Sequence, residues 1–475
     1  MRELENTLAR YWGPDWQLRS QQPEIVGSLI QGRDVMALLP TGEGKSLCFQ
    51  LAGLVLQGVT MVVSPLIALM QDQVAALQAR GIPVLHLDSQ LSRFERDSRL
   101  QALLASGGFV YLSPEQLQGQ SVRSFFWQQP PRLLVIDEAH CISQWGHDFR
   151  PAYRRIPEFV RGLPQRPVIG AFTATAPERT AGDISQLLQL QSPLVVRGIP
   201  LQQHIRLQVR HCWTPRGKWR ALLQELRPKT LIYASSRLET EVLTQRLAAK
   251  AAGPVLCYHA GMSGPRRQQA LETFATAGQV LMVATKAFGM GVDIGNIARV
   301  IHWQLPESLS AYVQEVGRAG RNRQIEASAL LLQAFGENAP AEGFAQLLAL
   351  RPDQIRAILA VLEQKQSLAS LRQRFQLTDA ALNQLLLPLE EIGILESKGD
   401  NFQLRAAPDK ATAQTVRQRI EELKQRRRQD LSQLRAYIRS RRCRRQFLYR
   451  AFDLDPEQKG CGACDRCGKK LTVNS

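Results

Sequence analysis

Residues 133–151 read LLVIDEAHCISQWGHDFRP, and the opening of this stretch decides the fold class. Leu133 to Ile136 is an unbroken apolar run of strand length, and Asp137 and Glu138 follow it at once. An apolar run of this kind reads as a buried strand. Carboxylates at its C-terminal end stand where a doubly wound parallel sheet exposes its ligand site. The next residues have different chemistry. Gln144, Trp145, His147, Phe149 and Arg150 gather stacking and cationic groups of the kind that contact a single nucleic-acid strand. A phosphate-chemistry site joined in sequence to a base-stacking loop predicts that hydrolysis and strand binding are coupled.

The partner of these carboxylates lies upstream. Asp34 to Pro40 reads as a short apolar strand, followed by Thr41-Gly42-Glu43-Gly44-Lys45-Ser46 and a helical run from Leu47. Strand, glycine loop, Lys-Ser and helix form a phosphate cradle. Backbone N–H groups and the helix N-terminus face the β-phosphate, Lys45 reaches the β and γ oxygens, and Ser46 ligates Mg²⁺. Leu39 stands where the general pattern has its first glycine. Asp137 is then placed to hold the Mg²⁺ and Glu138 to orient the attacking water.

Outward from this pair, short apolar runs alternate with helical patterns, which predicts parallel α/β sheets. The strands expected are Val35–Leu39, Thr60–Val63, Phe109–Leu112, Leu133–Ile136, Val168–Phe172 and Leu194–Val196. A second series begins near residue 228, with Thr230–Tyr233, Val255–Tyr258, Val280–Val283, Arg299–His302 and Ala329–Leu332. It has no phosphate loop. It carries Gln314-Glu315-Val316-Gly317-Arg318-Ala319-Gly320-Arg321 instead, two arginines three apart, which is the spacing of one helix face. Two lobes sharing one loop and one arginine pair predict a nucleotide between them, with Arg321 and Arg318 offsetting charge in the transition state.

The net charge is +18, from 60 Lys+Arg against 42 Asp+Glu, which favours a polyanionic partner. From residue 411 to the end there are 17 basic and 7 acidic side chains, so +10 of the excess lies in the last 65 residues. The N-terminus has no apolar signal region and no apolar run reaches membrane-spanning length, so a soluble, non-secreted protein without a membrane partner is expected. Of eight cysteines, Cys443, Cys461, Cys464 and Cys467 form C-x17-C-x2-C-x2-C. Four thiolates with tight final spacing make a closed, tetrahedral, structural Zn²⁺ site. Cys48, Cys141, Cys212 and Cys257 are scattered singly and read as core or incidental.

With these motifs in order, the first 335 residues resemble the helicase core of the RecQ family within helicase superfamily 2. Arg19 and Gln22 resemble its adenine-reading element, with Leu18, Ser20 and Gln21 in place of the usual aromatic-proline-glycine context. Ser64-Pro65-Leu66 through Asp72-Gln73, and Ser113-Pro114-Glu115, resemble its strand-tracking motifs. Thr173-Ala174-Thr175 resembles the motif that links hydrolysis to lobe closure. Tyr233 to Arg237, His259-Ala260-Gly261 and Thr285 through Asp293 match the second lobe. Gln144 to Pro151 is similar to the aromatic-rich loop that separates RecQ-like enzymes from other helicases of the superfamily.

The last third departs from that pattern. Pro352–Glu363, Leu368–Phe375 and Thr378–Glu391 have helical periodicity, and residues 393–396 and 402–405 around Lys398-Gly399-Asp400-Asn401 read as a hairpin. Three helices and a hairpin form a winged-helix pattern. Its candidate recognition helix offers Asn383 and Gln384 but no Lys or Arg, and is interrupted by Pro388. DNA reading and a protein-binding role stand level for it. Asn401 and Phe402 are candidates for a strand-separating tip. Thr415 to Arg442 reads as one long helix, whose Arg426–Arg428, with Arg441, Arg442, Arg444 and Arg445, are candidate phosphate contacts. In the family the winged helix follows the zinc module. Here it precedes it, and only eight residues follow Cys467, so no second winged helix or accessory helical domain is expected downstream.

The fold expected is therefore α/β, with two RecA-like parallel-sheet lobes at 1–197 and 198–340, a winged-helix-like segment at 350–406, and a long basic helix with the zinc module at 411–475. The resemblance implies an ATP- and Mg²⁺-dependent, 3′-to-5′ DNA helicase of recombination and repair. It would act as a cytoplasmic, prokaryotic monomer on single-stranded and tailed duplex DNA and meet single-strand-binding and repair proteins. Two other readings stand beside it. One is a DNA-stimulated translocase that remodels protein–DNA complexes without unwinding, and the other is a non-enzymatic DNA-binding regulator.

Overall fold

The computed structural model describes the chain except residues 1, 41, 88–92, 144–149, 175, 290–293, 323, 337–351, 378–381, 383–384, 387–388, 391–392, 399–400, 406–409, 456–459 and 469–475. Val35, Met36, Ala37 and Leu38 show how the first lobe is built. Val35 and Ala37 enter one apolar cluster, with Ile25, Phe49 and Val135, while Met36 and Leu38 enter another, with Met61, Ile136 and Ile169. Successive side chains of a strand point to opposite faces, so a strand without polar alternation must be covered on both. The resulting sheet is wholly parallel. Its strands are β1 (Val35–Leu38), β2 (Val59–Val63), β3 (Val84–His86), β4 (Gly108–Leu112), β5 (Leu133–Ile136), β6 (Val168–Thr173) and β7 (Leu194–Arg197), in the order β3-β4-β2-β5-β6-β1-β7.

The start of β1 is pinned by a buried charge. The Asp34 carboxylate accepts hydrogen bonds from Arg166 at 3.1 and 2.6 Å and from the amides of Ile169 and Gln191 at 2.9 and 2.8 Å. All of its acceptor capacity is used, so the charge is tolerated 2% exposed.

The second lobe contains β8 (Ile205–Cys212), β9 (Thr230–Tyr233), β10 (Val255–Tyr258), β11 (Leu281–Ala284), β12 (Arg299–His302) and β13 (Ala327–Ala334), again all parallel, in the order β10-β11-β9-β12-β13-β8. Every strand expected from sequence is present. Two more appear, β3 and β8, each on a sheet edge where one side carries no paired strand and solid apolar runs are not required.

A three-stranded antiparallel sheet lies in the last third, from β14 (Gln366–Ser367), β15 (Leu395–Lys398) and β16 (Asn401–Leu404), with β16 in the middle. It shares an apolar cluster with helices Pro352–Leu362 and Leu368–Phe375 and with Leu382, Leu385, Leu386 and Leu389. Phe402 lies one pair in from the Lys398–Asn401 end of the hairpin. It pairs with Ser397 on one side and Gln366 on the other and packs against the cluster. Asn383, Gln384 and Pro388 lie outside the described residues. The long helix runs from Lys410 to Arg439, five residues earlier at its start than expected and three at its end. The Ser440 hydroxyl accepts from the Arg442 amide at 3.1 Å, turning the chain out of the helix before Cys443.

The chain divides into two compact units. Both lobes and residues 440–475 form one, and residues 305–309 with 336–439 form the other. Among the described residues, no helix is long and apolar enough to cross a membrane.

Candidate nucleotide and metal sites

Strand order places the motifs. The loops after β4, β2, β5, β6 and β1 leave one edge of the first sheet side by side, and they carry Ser113–Glu115, Ser64–Leu66, Asp137–Glu138, Thr173–Ala174 and the phosphate loop. β1 and β5 flank β6, so the loop lysine and the carboxylates start about 10 Å apart, a span a magnesium triphosphate can bridge.

The phosphate loop turns at Gly42 (φ +88°) and Gly44 (φ +71°). Only glycine adopts such values freely, and at Gly44 a methyl group would also lie 2.5 Å from Gln22 Nε2. The helix then runs from Lys45 to Leu56, so Lys45 and Ser46 open it, two residues earlier than the apolar pattern from Leu47 suggests. Its first N–H groups have no partners within the helix and carry the positive end of its dipole. Lys45 Nζ is buried and has no hydrogen-bond partner among the described residues. A buried ammonium without an acceptor fits a site whose anion comes from outside. Ser46 Oγ accepts from Gln73 Nε2 at 3.2 Å.

Asp137 is 5% exposed. Its carboxylate accepts from Ser64 Oγ at 3.2 Å and from the Glu138 amide at 3.0 Å, and its carbonyl accepts from the Tyr153 hydroxyl at 2.9 Å. Burial and the Glu138 charge push its carboxyl up to about 6, against a downward pull from Lys45. Two carboxylates crowded in a dry corner fit a divalent cation. Glu138 holds a left-handed backbone (φ +48°, ψ +46°), rare for a residue with a side chain and characteristic of functional turns. Its Oε2 lies 3.3 Å from His140 Nδ1, and that nitrogen is 2.8 Å from Thr173 Oγ1. The carboxylate loop is thereby tied to the end of β6.

Gln22 is placed beside the loop but is already engaged. Its Oε1 accepts from the Arg19 amide and its Nε2 donates to the Glu43 carbonyl, both at 2.9 Å. Arg19 is exposed. Thr41, Thr175, Gln144, Trp145, His147 and Phe149 lie outside the described residues. Arg150, at the end of the aromatic loop, is described. Its amide donates to Cys141 O at 2.9 Å and its Nη1 to Pro65 O at 2.8 Å, joining the loop's base to the strand-tracking motif after β2.

The arginine pair does not lie on a helix face. The helix Leu309–Val316 stops before it, and Gly317 to Gly320 form a turn in which Gly320 has φ +65°. A side chain at Gly320 would meet Ala327 Cβ and His204 Nε2, each at 2.5 Å. Arg318 is 4% exposed and near enough to Tyr233 for its charge to act on that hydroxyl, with its Nε unpartnered among the described residues. Arg321 reaches the phosphate loop, its Cγ 3.8 Å from where a Gly42 methyl would be. At that same point, 3.0 Å away, stands Gln202 Nε2 from the segment between the lobes, a neighbour that no sequence motif announced.

The four Sγ atoms of Cys443, Cys461, Cys464 and Cys467 lie within 4.8 Å of one another, with separations of 3.5 Å for 461–467, 3.3 Å for 464–467, 3.6 Å for 443–467 and 4.0 Å for 443–464. Four sulfurs about 2.3 Å from a central Zn²⁺ are about 3.8 Å apart, so the donor set fits. The module is joined to the second lobe through its backbone. Leu207 N donates to Ala463 O at 3.1 Å and Asp465 N to Leu207 O at 3.0 Å, which covers the free side of β8. Arg444 is fully buried on Asp465, at 2.9 and 3.0 Å. Arg445 is 4% exposed and donates to the carbonyls of Leu201, Gln202, Gln203 and Ile205. Both are spent inside the protein and are not phosphate contacts; Arg441 and Arg442 are exposed.

Residues 19–184 match the DEAD/DEAH box helicase family, 217–323 the helicase conserved C-terminal domain and 407–468 the RecQ zinc-binding family. A probable ATP-dependent DNA helicase RecS of Bacillus subtilis (strain 168) is 32% identical over 100% of this chain and 93% of its own. An ATP-dependent DNA helicase RecQ of Synechocystis sp. is 35% identical over 98% of each. Among solved structures, the DUF1998 helicase MrfA bound to DNA superposes with a TM-score of 0.57 at 18% identity, covering 88% of this chain and 60% of that one. The DEAD-box helicase Mss116 bound to ssRNA and UDP-BeF gives 0.57 at 15%, covering 82% and 87%. At these identities the likeness is one of fold.

Proposed function

Because the chain belongs to the RecQ family of ATP-dependent DNA helicases, we propose that it moves 3′ to 5′ along one DNA strand, hydrolysing ATP, and opens the duplex ahead of it in recombination and repair. The observation that carries this reading is Lys45, a buried ammonium with no partner among the described residues at the mouth of a glycine-turned loop. Its charge meets the β- and γ-phosphate oxygens, and the N–H groups of the following helix turn hold the β-phosphate. Ser46 and Asp137 would hold Mg²⁺, which when bound would draw negative charge from the phosphates. Glu138 accepts a proton from the attacking water and aligns it on the γ-phosphorus. Arg321, with Arg318 behind it near Tyr233, offsets the charge that spreads over the equatorial oxygens.

Coupling to DNA follows from the same atoms. A strand drawn across the loop 144–149 acts on Arg150, which grips Pro65 O, and on Cys141, which lies next to His140. His140 Nδ1 bonds Thr173 and stands 3.3 Å from the Glu138 carboxylate, so a shift at this loop re-aims the hydrolytic carboxylate. Zn²⁺ has a separate role, holding the four thiolates of a small module on the second lobe and doing no chemistry there.

Two duplexes of one sequence, bearing either a 3′ or a 5′ single-stranded tail, test the reading. ATP-dependent opening of the 3′-tailed duplex alone, abolished by Lys45→Ala, is expected. Hydrolysis stimulated by DNA with neither duplex opened would replace it with a translocase that remodels protein–DNA complexes.

A further inference from the structure

Gln202 lies in the segment that crosses from β7 to β8, between the lobes. It is 6% exposed and its Oε1 is buried with no hydrogen-bond partner among the described residues. A phosphate oxygen cannot complete this acceptor, so what the carboxamide offers to an anion is its amide nitrogen. Its carboxamide nitrogen is 3.0 Å from the position of a methyl on Gly42, and Arg321 Cγ is 3.8 Å from that same point. The carboxamide therefore sits on the phosphate loop, beside the arginine of the second lobe.

What holds it there comes from elsewhere in the chain. Arg445 follows the zinc ligand Cys443 by two residues. Its Nη1 donates to Leu201 O at 3.1 Å, and its Nη2 to Gln202 O and Gln203 O, each at 2.8 Å, and to Ile205 O. Four carbonyls from five consecutive positions converge on one guanidinium, whose planar fork fixes their directions as an ammonium would not. On the next strand, Leu207 is paired with the zinc loop on both its amide and its carbonyl. The backbone on which Gln202 is mounted is thus positioned by the zinc module.

We propose that Gln202 is a nucleotide-contacting residue that donates from its carboxamide to the terminal phosphate of ATP beside Arg321, and that Arg445 is the positioning residue that sets it there. The inference rests on the assignment of the phosphate loop as the ATP site. It makes the docked zinc module part of how the enzyme tells a triphosphate from a diphosphate, since ADP has nothing for Gln202 to meet.

The test is the affinity of the full chain for fluorescent ADP and for a fluorescent, non-hydrolysable imido-triphosphate analogue. Gln202→Ala is expected to weaken the triphosphate about tenfold, the loss of one hydrogen bond to a charged oxygen, and to leave ADP unchanged. Gln202→Glu keeps the shape and sets a like charge against the phosphate, so its loss is larger. Arg445→Lys keeps the charge without the fork and lowers the same ratio while zinc content and melting temperature hold. An unaltered triphosphate-to-diphosphate ratio in both Gln202 variants, with Lys45→Ala abolishing binding, overturns this inference alone. Unaltered affinities in Lys45→Ala overturn the phosphate site and this inference with it. Equal losses of both nucleotides in Arg445→Lys, accompanied by zinc release, reduce Arg445 to a structural contact and overturn its part.

Discussion

Glu138 concentrates the chemistry of the site in one residue. Its left-handed backbone bends the chain directly after β5, bringing its carboxylate to His140 while its amide caps Asp137. Glu138→Gln keeps this geometry, since the amide is isosteric and the φ/ψ cost is unchanged, but it removes the proton acceptor for water. ATP binding should stay near its unsubstituted value, with turnover down at least a hundredfold, as expected for loss of a general base. Single-turnover hydrolysis beside equilibrium nucleotide binding measures both, and undiminished turnover would remove Glu138 from the role. Lys45, Ser46, Asp137 and Glu138 stood out in the sequence because each lies in the loop or first helix turn directly after a buried strand, where local order fixes position. Gln202 did not, because only the folding of two lobes brings it to Gly42. The arginine pair was found for a partly mistaken reason. Three-residue spacing suggested a helix face, whereas Gly317 and Gly320 break the helix and a turn delivers both guanidinium groups.

At the scale of elements, the zinc module and β8 depend on each other. β8 has the burial pattern of an edge, alternating rather than continuous, and its outer backbone is capped at Leu207 by Ala463 and Asp465. That alternation is why sequence reading passed over it, as it passed over the three-residue β3, while the solid apolar runs of inner strands stood out. Cys464 is the hinge of the module. Its Sγ accepts from the Arg444 amide at 3.5 Å and its carbonyl from Gly468 at 2.8 Å, and it is 3% exposed. A structural Zn²⁺ of this class supplies on the order of 10 kcal/mol, more than so small a core contributes alone. Cys464→Ser, or a strong chelator, should therefore unfold the module locally. In amide exchange, Leu207 and Asp465 should lose protection while β1, β5 and β6 keep theirs. Protection unchanged at Leu207 in zinc-free protein would show that the sheet edge stands without the metal.

At the scale of the whole molecule, the chain leaves the catalytic unit at residue 336 and returns at residue 440. The sequence revealed the parts of this excursion, helices and then a hairpin, because their periodicities are local. Phe402 stood out there only as a tip candidate, since a hairpin read alone has no third strand. With β14 added, β16 becomes central and Phe402 is a packing residue of that unit, between Gln366 and Ser397 and against the cluster of Leu362, Leu371 and Leu395. Phe402→Ala should then cost this unit about 1–3 kcal/mol, less than a fully buried phenylalanine because the ring is only partly covered. Its melting transition should fall, with DNA-stimulated ATP hydrolysis unchanged below that transition. Calorimetry and a hydrolysis assay on the same preparation separate the cases. A full-height melt combined with lost unwinding would return Phe402 to the strand-separating role. Lost hydrolysis at temperatures where both units are folded would mean that the excursion governs the motor, because a packing defect confined to one unit has no other route to the phosphate loop.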